Sequence, residues 1–276
     1  MWHKAAVQPF ERVAHAAAAR AGALLRARYR DRQEVSFKSE VDLVTAADRD
    51  AERLIVDCIR AAFPEHGIVA EESAPFPGSD PHRWYIDPLD GTTNFAHGYP
   101  QFAVSMGLAR GDDVLFGLVY DPMREELFTA VRGEGARLNG APIAVSETAR
   151  LEHALLATGF PYDRRRHAAF YLAFVGEAMR RAQGIRRAGS AALDLCYVAC
   201  GRLDAFWEWK LHPWDIAAGR LIVEEAGGRV SDFTGGPHAL SGEETAASNS
   251  RLHGELLEML ASVRHGLESV DGGGRM

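Results

Sequence analysis

Two aspartates stand three positions apart where a short apolar segment of the sequence ends. Residues 84–91 have the sequence Trp-Tyr-Ile-Asp-Pro-Leu-Asp-Gly. The apolar start predicts a strand, so Asp87 is expected at its carboxyl end, where open α/β sheets bind their ligands. Pro88 ends the hydrogen-bonded ladder, and a chain that curls after it can direct Asp87 and Asp90 at one point. Two carboxylates held this close repel each other unless a cation lies between them.

The residues that follow Asp90 suit an anion. Gly91 has no Cβ that would block a ligand. If a helical turn begins over Thr92–Asn94, its free N–H groups point outward and favour a phosphate. A simpler explanation competes, because Asp-Pro-x-Asp-Gly is also a good turn-forming sequence and, taken alone, is better explained as a plain turn.

Further acids at the ends of other predicted elements favour a metal site over a plain turn. Glu71 and Glu72 follow the apolar run 67–70, and Asp215 follows Trp214 at the start of a helical segment. Glu72 is expected at the surface, but the other acids could converge with the first two aspartates. All these donors are oxygens, and no His-x-x-His motif, His-Glu-x-x-His motif or cysteine pair accompanies them. Mg²⁺, with Mn²⁺ as a substitute, is therefore favoured over zinc.

These motifs resemble the signature segments of the inositol monophosphatase family, the lithium-sensitive, magnesium-dependent phosphomonoesterases. The matching segments run in order through nearly the whole chain, from about Pro9 to about Arg264, and are Lys38-Ser39, Asp42–Asp48, Glu71–Ser73, Trp84–Phe95, Gly189–Ala192, Phe206–Glu208 and Trp214–Gly219. Ordered matches of this kind are hard to produce by chance. The resemblance implies an α/β (α+β) fold, a layered α/β/α/β/α sandwich of the inositol monophosphatase and fructose-1,6-bisphosphatase type, with metals bound between two domains.

The resemblance also implies the roles of individual residues in a two-metal phosphoryl-transfer site. The implied metal ligands are Glu71, Asp87, the carbonyl of Leu89, Asp90 and Asp215. The implied catalytic residues, which orient the attacking water and help to deprotonate it, are Thr92, Asp48 and Glu71. The implied substrate-binding residues are Asp90, Gly91, Thr92, Gly189, Ser190, Ala191 and Glu208. Asp87 would bridge the two ions, and Glu208 would face hydroxyls of a sugar-like substrate.

Three of these residues have a simpler alternative explanation. Asp48 lies three residues after Thr45 and could serve only in a capping box. Asp215 could be only the N-cap of a helix over 216–226. Such a cap stabilises a helix by about 0.5–2 kcal/mol, which is reason enough to keep the residue. Glu208 could be a solvated carboxylate on an edge strand.

The composition is that of an ordinary globular protein and excludes several functions. The chain has 276 residues, 47% of them apolar and 25% charged, with a formal net charge of −7. A general nucleic-acid binder needs a basic face, so none is expected, and the basic groups 164–166 and 180–181 are interpreted as solvated. The absence of a signal peptide or membrane-spanning run predicts a cytoplasmic protein without membrane attachment. The cysteines at 58, 196 and 200 are expected to be reduced core thiols.

The elements that must position these residues change character half-way along the chain. Two helices, over 9–30 and 45–63, precede a meander of five predicted strands: Gly67–Ala70, Arg83–Asp87, Val104–Arg110, Val114–Tyr120 and Glu126–Val131. Beyond the meander strands and helices alternate, which is α/β character. We therefore predict a first domain over 1–148 that carries most metal ligands, a substrate domain over 149–265, and a disordered tail over 266–276.

The expected function is hydrolysis of a phosphomonoester with Mg²⁺, and the expected substrate is myo-inositol 1-phosphate. Members of the resembled family also hydrolyse fructose 1,6-bisphosphate, histidinol phosphate or 3′-phosphoadenosine 5′-phosphate, and these stay open as alternatives. Residues 210–213, Lys-Leu-His-Pro, depart from the animal inositol enzymes and put strict inositol specificity in doubt. An aspartyl-phosphate phosphatase of the haloacid dehalogenase type is disfavoured, because its acids stand two apart near the amino terminus.

The partners expected from the resemblance are a small phosphorylated polyol or sugar and a second copy of the chain in a homodimer, without nucleic acid. A regulatory binding protein with the same fold is the alternative from a different class, although it would be expected to lose a metal ligand. Lys38 could be an exposed lysine or could act at long range near the active-site loop. No role follows from the sequence for Asp194.

Overall fold

The computed structural model describes residues 4–29, 31, 35–37 and 43–272. Lys38, Ser39 and Asp42, which belong to the first segments of the resemblance, lie outside the described residues. The role suggested for Lys38 therefore stays a prediction. None of the described helices is long and apolar enough to cross a membrane.

The chain begins with two helices, α1 (Lys4–Arg28) and α2 (Ala46–Ala62), that pack against each other. Alanines at helical spacing let the two backbones approach closely. The buried residues of these two faces are Ala14, Ala17, Ala18, Ala21, Leu25, Ala47, Ala51, Ile55 and Ile59. The predicted capping box is present at the start of α2. Two short antiparallel strands, β1 (Val35–Phe37) and β2 (Leu43–Thr45), lie between the helices in the sequence.

A seven-stranded sheet follows. Its strands are β3 (Gly67–Ala70), β4 (His82–Asp90), β5 (Ala103–Arg110), β6 (Asp113–Asp121), β7 (Glu126–Val131), β8 (Gly135–Leu138) and β9 (Ala141–Pro142). They lie side by side in chain order, antiparallel throughout except for the parallel pair β3 and β4. The short helix α3 (Thr92–Ala96) connects β4 to β5. The predicted meander is confirmed and continues for two further strands.

The second half of the chain alternates between strands and helices. Its elements are β10 (Leu155–Thr158), α4 (Arg164–Arg181), β11 (Gly184–Arg186), α5 (Ala191–Ala199), β12 (Ala205–Trp209), α6 (Pro213–Glu225), β13 (Arg229–Ser231), β14 (Glu244–Ser248) and α7 (His253–Gly272). The five strands lie in the order β11-β10-β12-β14-β13. The first three are parallel, as helical crossovers require, and β14 is antiparallel to both of its neighbours.

The elements stack in five layers. α1 and α2 cover one face of the seven-stranded sheet, α5 and α6 fill the space between the two sheets, and α4 and α7 cover the outer face of the five-stranded sheet. Every residue of α5 except Tyr197 is buried. The predicted α/β/α/β/α sandwich is confirmed. The predicted boundary after residue 148 falls between β9 and β10, but the middle helices build one core with both sheets.

The C-terminal helix corrects one prediction. α7 continues to Gly272, so residues 266–272 are helical rather than a disordered tail, and residues 273–276 lie outside the described part of the chain. The physical reason is that Leu256, Met259 and Leu260 anchor α7 in the outer core. Once a helix is anchored, each further residue adds to it at little cost.

Candidate active site

The residues predicted for the site come together in one cleft, where β4, β10 and β12 end and α3, α5 and α6 begin. The predicted residues that line it are Glu71, Asp87, Leu89, Asp90, Gly91, Thr92, Gly189, Ser190, Ala191, Glu208 and Asp215. Asp48 lies behind Thr92, to which it is hydrogen-bonded. The cleft therefore gathers predicted residues from both halves of the chain at strand and helix ends.

The position of Asp87 is set by the irregular end of β4. The pairing of β4 with β5 shifts register between Asp87 and Asp90, around Pro88, which cannot donate to the ladder. The N–H of Leu89 then donates a hydrogen bond to Asp87 Oδ1 at 2.9 Å, which fixes the turn. Burial, together with the charges of the neighbouring carboxylates, raises the pKa of Asp87 well above its usual value.

Asp90 connects the two halves of the molecule. Its Oδ2 accepts hydrogen bonds from Ser190 Oγ at 2.6 Å and from the N–H of Ala192 at 2.8 Å, at the amino terminus of α5. These bonds and the helix dipole favour the charged carboxylate. Burial nevertheless outweighs them and raises the pKa of Asp90 to about 6. A cation beside this carboxylate would favour its charged form.

Asp215 is not the N-cap of its helix. α6 begins at Pro213 rather than at Ile216, so Asp215 is the third helical residue. Proline explains the earlier start, because its fixed φ and missing N–H suit the first helical position. Asp215 Oδ2 accepts a hydrogen bond from the N–H of His212 at 2.7 Å, so the carboxylate stabilises the helix start from within the helix. Burial and the neighbouring carboxylates raise its pKa well above the usual value.

The aspartates of the cleft fit a cation site. Asp87, Asp90 and Asp215 each have one oxygen fixed by hydrogen bonds from the chain. The remaining oxygen of Asp87 and of Asp215 accepts no hydrogen bond from the described residues. Glu71 and the Leu89 carbonyl belong to the same cleft. Negative charge of this density in a partly buried cleft is costly without a compensating cation, and an oxygen-only ligand set suits a hard divalent ion.

Thr92 and Asp48 form a hydrogen-bonded pair at the edge of the cleft. Thr92 Oγ1 donates to Asp48 Oδ1 at 2.8 Å and lies 3.1 Å from the carbonyl oxygen of Leu89. Asp48 Oδ2 accepts from the N–H of Thr45 at 2.8 Å and from Thr45 Oγ1 at 2.5 Å. The capping box thus occupies one oxygen of Asp48 and leaves the other to Thr92. Asp48 can therefore cap α2 and also take part in the site. Burial raises the pKa of Asp48.

The helical turn predicted over Thr92–Asn94 is present as α3, and Gly91 precedes it at the N-cap with a φ of 100°. This left-handed conformation favours glycine. Asn94 has a function that the sequence did not indicate. Its Nδ2 donates to the carbonyl oxygens of Gln101 at 2.6 Å and Ala188 at 2.9 Å. Asn94 thereby ties α3 to the loop that precedes α5.

Glu208 does not lie on an edge strand, which corrects the alternative explanation of this residue. β12 is the central strand of its sheet, between β10 and β14, and the Glu208 side chain is buried. The alternative was wrong because a short strand does not reveal its neighbours from its own sequence. Burial raises the pKa of Glu208 to about 8, and the positive charge of Arg187 acts in the opposite direction.

The cleft also contains residues that the sequence did not single out. Gly159 directly follows β10, and Arg187 directly follows β11. Because ligands bind at the carboxyl ends of strands, this position in the sequence could have predicted both residues. Arg164 lines the cleft as well, although it was interpreted as solvated. The guanidinium of Arg187 lies 5.6 Å from the centre of the Phe160 ring. Asp194, in the first turn of α5, has a buried Oδ1 without a hydrogen-bond partner among the described residues.

A second group of possible metal ligands lies outside the cleft, at His66, Asp80 and His82. Trp84 Nε1 donates to His66 Nδ1 at 3.1 Å, so a neutral His66 carries its proton on Nε2, 3.9 Å from Asp80. That tautomer leaves no lone pair for a metal. The rings of His66 and His82 stack with their centres 5.0 Å apart, and the group is better explained by aromatic packing.

Comparison with known proteins agrees with this geometry. The model of the inositol monophosphatase family matches residues 6–267. The chain belongs to the inositol monophosphatase family. Nus factor SuhB of Escherichia coli is 46% identical over 267 residues, which are 96% of this chain and 99% of that protein. The inositol-1-monophosphatase of Synechocystis sp. is 48% identical over 233 residues, which are 84% of this chain and 81% of that protein.

A solved structure extends the likeness to three dimensions. The inositol monophosphatase from Anabaena (Nostoc) sp. matches with a TM-score of 0.85 at 42% identity, over 93% of this chain and 96% of that chain. The fold is therefore that of the family. The names of the relatives differ, since one is called a Nus factor and two are called phosphatases, so the names alone do not give a substrate.

Proposed function

We propose that this protein is a Mg²⁺-dependent phosphomonoester hydrolase that prefers polyol phosphates, with myo-inositol 1-phosphate as the first candidate. The observation that carries the proposal is the meeting of three groups in one cleft: the cluster of acids around Asp87, the hydrogen-bonded pair of Thr92 and Asp48, and the buried carboxylate of Glu208. Membership of the family supports a phosphatase and leaves the substrate to be determined.

The clustered carboxylates of the cleft would hold the cations. The proposed ligands are Glu71, Asp87, the carbonyl of Leu89, Asp90 and Asp215, and Asp87 is the one that both ions would share. Bound Mg²⁺, or Mn²⁺ in its place, lowers the pKa of water and stabilises negative charge on the phosphate and the leaving oxygen. The hydrogen bonds that fix one oxygen of Asp87, Asp90 and Asp215 hold these side chains in place before the cation binds.

Thr92 and Asp48 would orient the attacking water. The single hydroxyl proton of Thr92 is donated to Asp48, so the Oγ1 lone pairs can accept a hydrogen bond from water. A proton leaving that water can move through the Thr92 hydroxyl to Asp48, whose raised pKa makes it a better proton acceptor near neutral pH. Glu71, which lines the same cleft, would assist as a second acceptor.

The remaining lining residues would bind the substrate. The proposed contacts to the phosphate side are Asp90, Gly91, Thr92, Gly189, Ser190 and Ala191, which lie where α3 and α5 begin and where backbone N–H groups can face an anion. Glu208 would accept hydrogen bonds from substrate hydroxyls. Fructose 1,6-bisphosphate, histidinol phosphate and 3′-phosphoadenosine 5′-phosphate are the alternatives within the family. A regulatory protein with an inactive site would be expected to lose a ligand, and this chain keeps them all.

A panel of phosphomonoesters, assayed with Mg²⁺ and with EDTA, tests the proposal. We expect metal-dependent turnover of 4-nitrophenyl phosphate and a higher kcat/KM for a polyol phosphate. No metal-dependent turnover of any ester would refute the phosphatase.

The variant Glu208→Gln tests substrate recognition. It should lose about tenfold to a hundredfold in kcat/KM on the polyol ester, because a hydrogen bond to a charged group contributes roughly 1.5–3 kcal/mol. Turnover of the nitrophenyl ester, which has no hydroxyls, should hardly change. Equal losses on both esters would instead place Glu208 in the metal or fold framework.

A further inference from the structure

Gly159 lies against the carboxylate of Glu208. It directly follows β10 and lines the cleft. A Cβ built on Gly159 would lie 2.1 Å from each carboxylate oxygen of Glu208 and 2.2 Å from its Cδ. These distances are far shorter than van der Waals contact, so the carboxylate occupies the volume that a side chain at position 159 would need.

The backbone itself does not require glycine at this position. Gly159 is absent from the glycines that have a positive φ, so an L-residue could adopt its conformation. The three atoms nearest to the added Cβ all belong to Glu208. The nearest obstacle to a side chain at position 159 is therefore the Glu208 carboxylate.

The register of the sheet explains how the two residues meet. β10 and β12 are parallel neighbours, with Thr158 opposite Trp207, so Gly159 and Glu208 occupy the next positions of the two adjacent chains. Side chains at such neighbouring positions point to the same face of a sheet, about 5 Å apart. Because position 159 has no side chain, the carboxylate of Glu208 can lie sideways over the end of β10.

We propose that Gly159 is a positioning residue that determines substrate choice, because the volume it leaves empty holds the Glu208 carboxylate in the cleft. A methyl group at 159 would push this carboxylate out of its place. The inference rests on the proposed function only where it assigns substrate hydroxyls as the partners of Glu208. The steric conflict between the two residues does not depend on that assignment.

The kinetic test compares Gly159→Ala in two backgrounds, wild type and Glu208→Ala, with Mg²⁺. In the wild-type background we expect a loss of about tenfold to a hundredfold in kcat/KM for myo-inositol 1-phosphate and less than about threefold for 4-nitrophenyl phosphate. In the Glu208→Ala background, where the conflict is gone, the same substitution should change neither value. Gly176→Ala in α4 is the matched control, because its Cβ would meet nothing within 4 Å.

Melting temperatures test the steric conflict without any activity. Gly159→Ala should lower the melting temperature by several degrees in wild type and leave it unchanged in the Glu208→Ala background, a non-additivity expected only for groups in contact. If the single variant Gly159→Ala does not fold, the double variant Gly159→Ala/Glu208→Ala should fold. A loss that persists in both backgrounds, or that is equal on both esters, would overturn the proposal, and so would no change in either background.

The two proposals fail in different ways. Wild type without metal-dependent turnover of 4-nitrophenyl phosphate would refute the phosphatase while the melting temperatures still decide the role of Gly159. Additive melting temperatures in an active phosphatase would refute the role of Gly159 alone.

Discussion

Replacing Asp90 with asparagine separates the charge of the carboxylate cluster from its shape. Asparagine has nearly the same volume, and its amide oxygen can still accept the hydrogen bonds from Ser190 and Ala192. We expect Asp90→Asn to lose phosphatase activity while the fold is kept. Removal of a charged ligand should cost about 3–4 kcal/mol of transition-state stabilisation, which is about two to three orders of magnitude in kcat.

The stability of this variant should change little, because two effects oppose each other. The two hydrogen bonds become weaker by about 1 kcal/mol each when the acceptor is a neutral amide. In the other direction, the variant removes one of the charges that raise the pKa of Asp87 and Asp215, so repulsion inside the cluster falls. Without metal, we expect a net change within about 2 kcal/mol, which is about 4–8 °C in melting temperature.

The assay measures kcat at saturating Mg²⁺ and the melting temperature in EDTA and in Mg²⁺. The melting temperature of wild type should rise with Mg²⁺, because a ligand that binds only the folded state stabilises it, and that of the variant should rise less. Near-native kcat of Asp90→Asn at saturating Mg²⁺ would refute the proposed ligand role. Loss of the folded state in EDTA would show that Asp90 acts mainly through its contact with α5.

Thr92→Val and Asp48→Ala should both abolish turnover, but Asp48→Ala should lower the melting temperature by more, because Asp48 also caps α2 and a cap contributes about 0.5–2 kcal/mol. Equal melting temperatures would contradict that double role. Lithium should inhibit at high Mg²⁺, as the family leads us to expect, because a small hard cation can occupy an oxygen-only site with too little charge for catalysis. Activity that does not respond to lithium would argue against lithium binding at the metal site. As the pH drops from 6.5 towards 4, the free energy of unfolding of wild type should fall relative to that of His253→Gln, because burial lowers the pKa of His253 to about 4 and protonation then favours the unfolded chain. This contribution is fully present above pH 6.5, and an unchanged pH slope in His253→Gln would show that another group causes the loss.

The ligands at strand ends could be predicted because their signal is local. An apolar run followed by Asp87, Pro88 and Asp90 contains both the strand and its interruption, and the structure has the register shift at this place. The capping box of Thr45 and Asp48 is similarly local and is present. Sequence patterns of this kind need no knowledge of which elements become neighbours.

The parts that could not be predicted depend on contacts between distant segments. Glu208 lies on a central strand because β14, far along the sequence, adds to the other side of β12. The requirement for Gly159 exists only because β10 and β12 are paired. Asn94 Nδ2 donates to the carbonyl oxygen of Ala188, which is distant in the sequence. In each case the residue type is ordinary by itself, and its function comes from a neighbour that the local sequence does not contain.

Helix capping and site chemistry are one arrangement in this fold, although the sequence presents them as competing explanations. Asp48 lies at the start of α2, Asp90 at the start of α5 and Asp215 at the start of α6, and each carboxylate accepts a hydrogen bond from a backbone N–H there. The N–H donors and the positive ends of the helix dipoles fix one oxygen of each side chain and partly stabilise its charge. Two helix starts thus hold Asp90 and Asp215 in the cleft, the third holds Asp48 behind Thr92, and burial keeps the pKa of all three above the usual range. Hydrogen bonds therefore hold these side chains before any ligand arrives, and the site is short of positive charge. That combination is the physical reason why we expect a divalent cation, rather than a change in fold, to complete it.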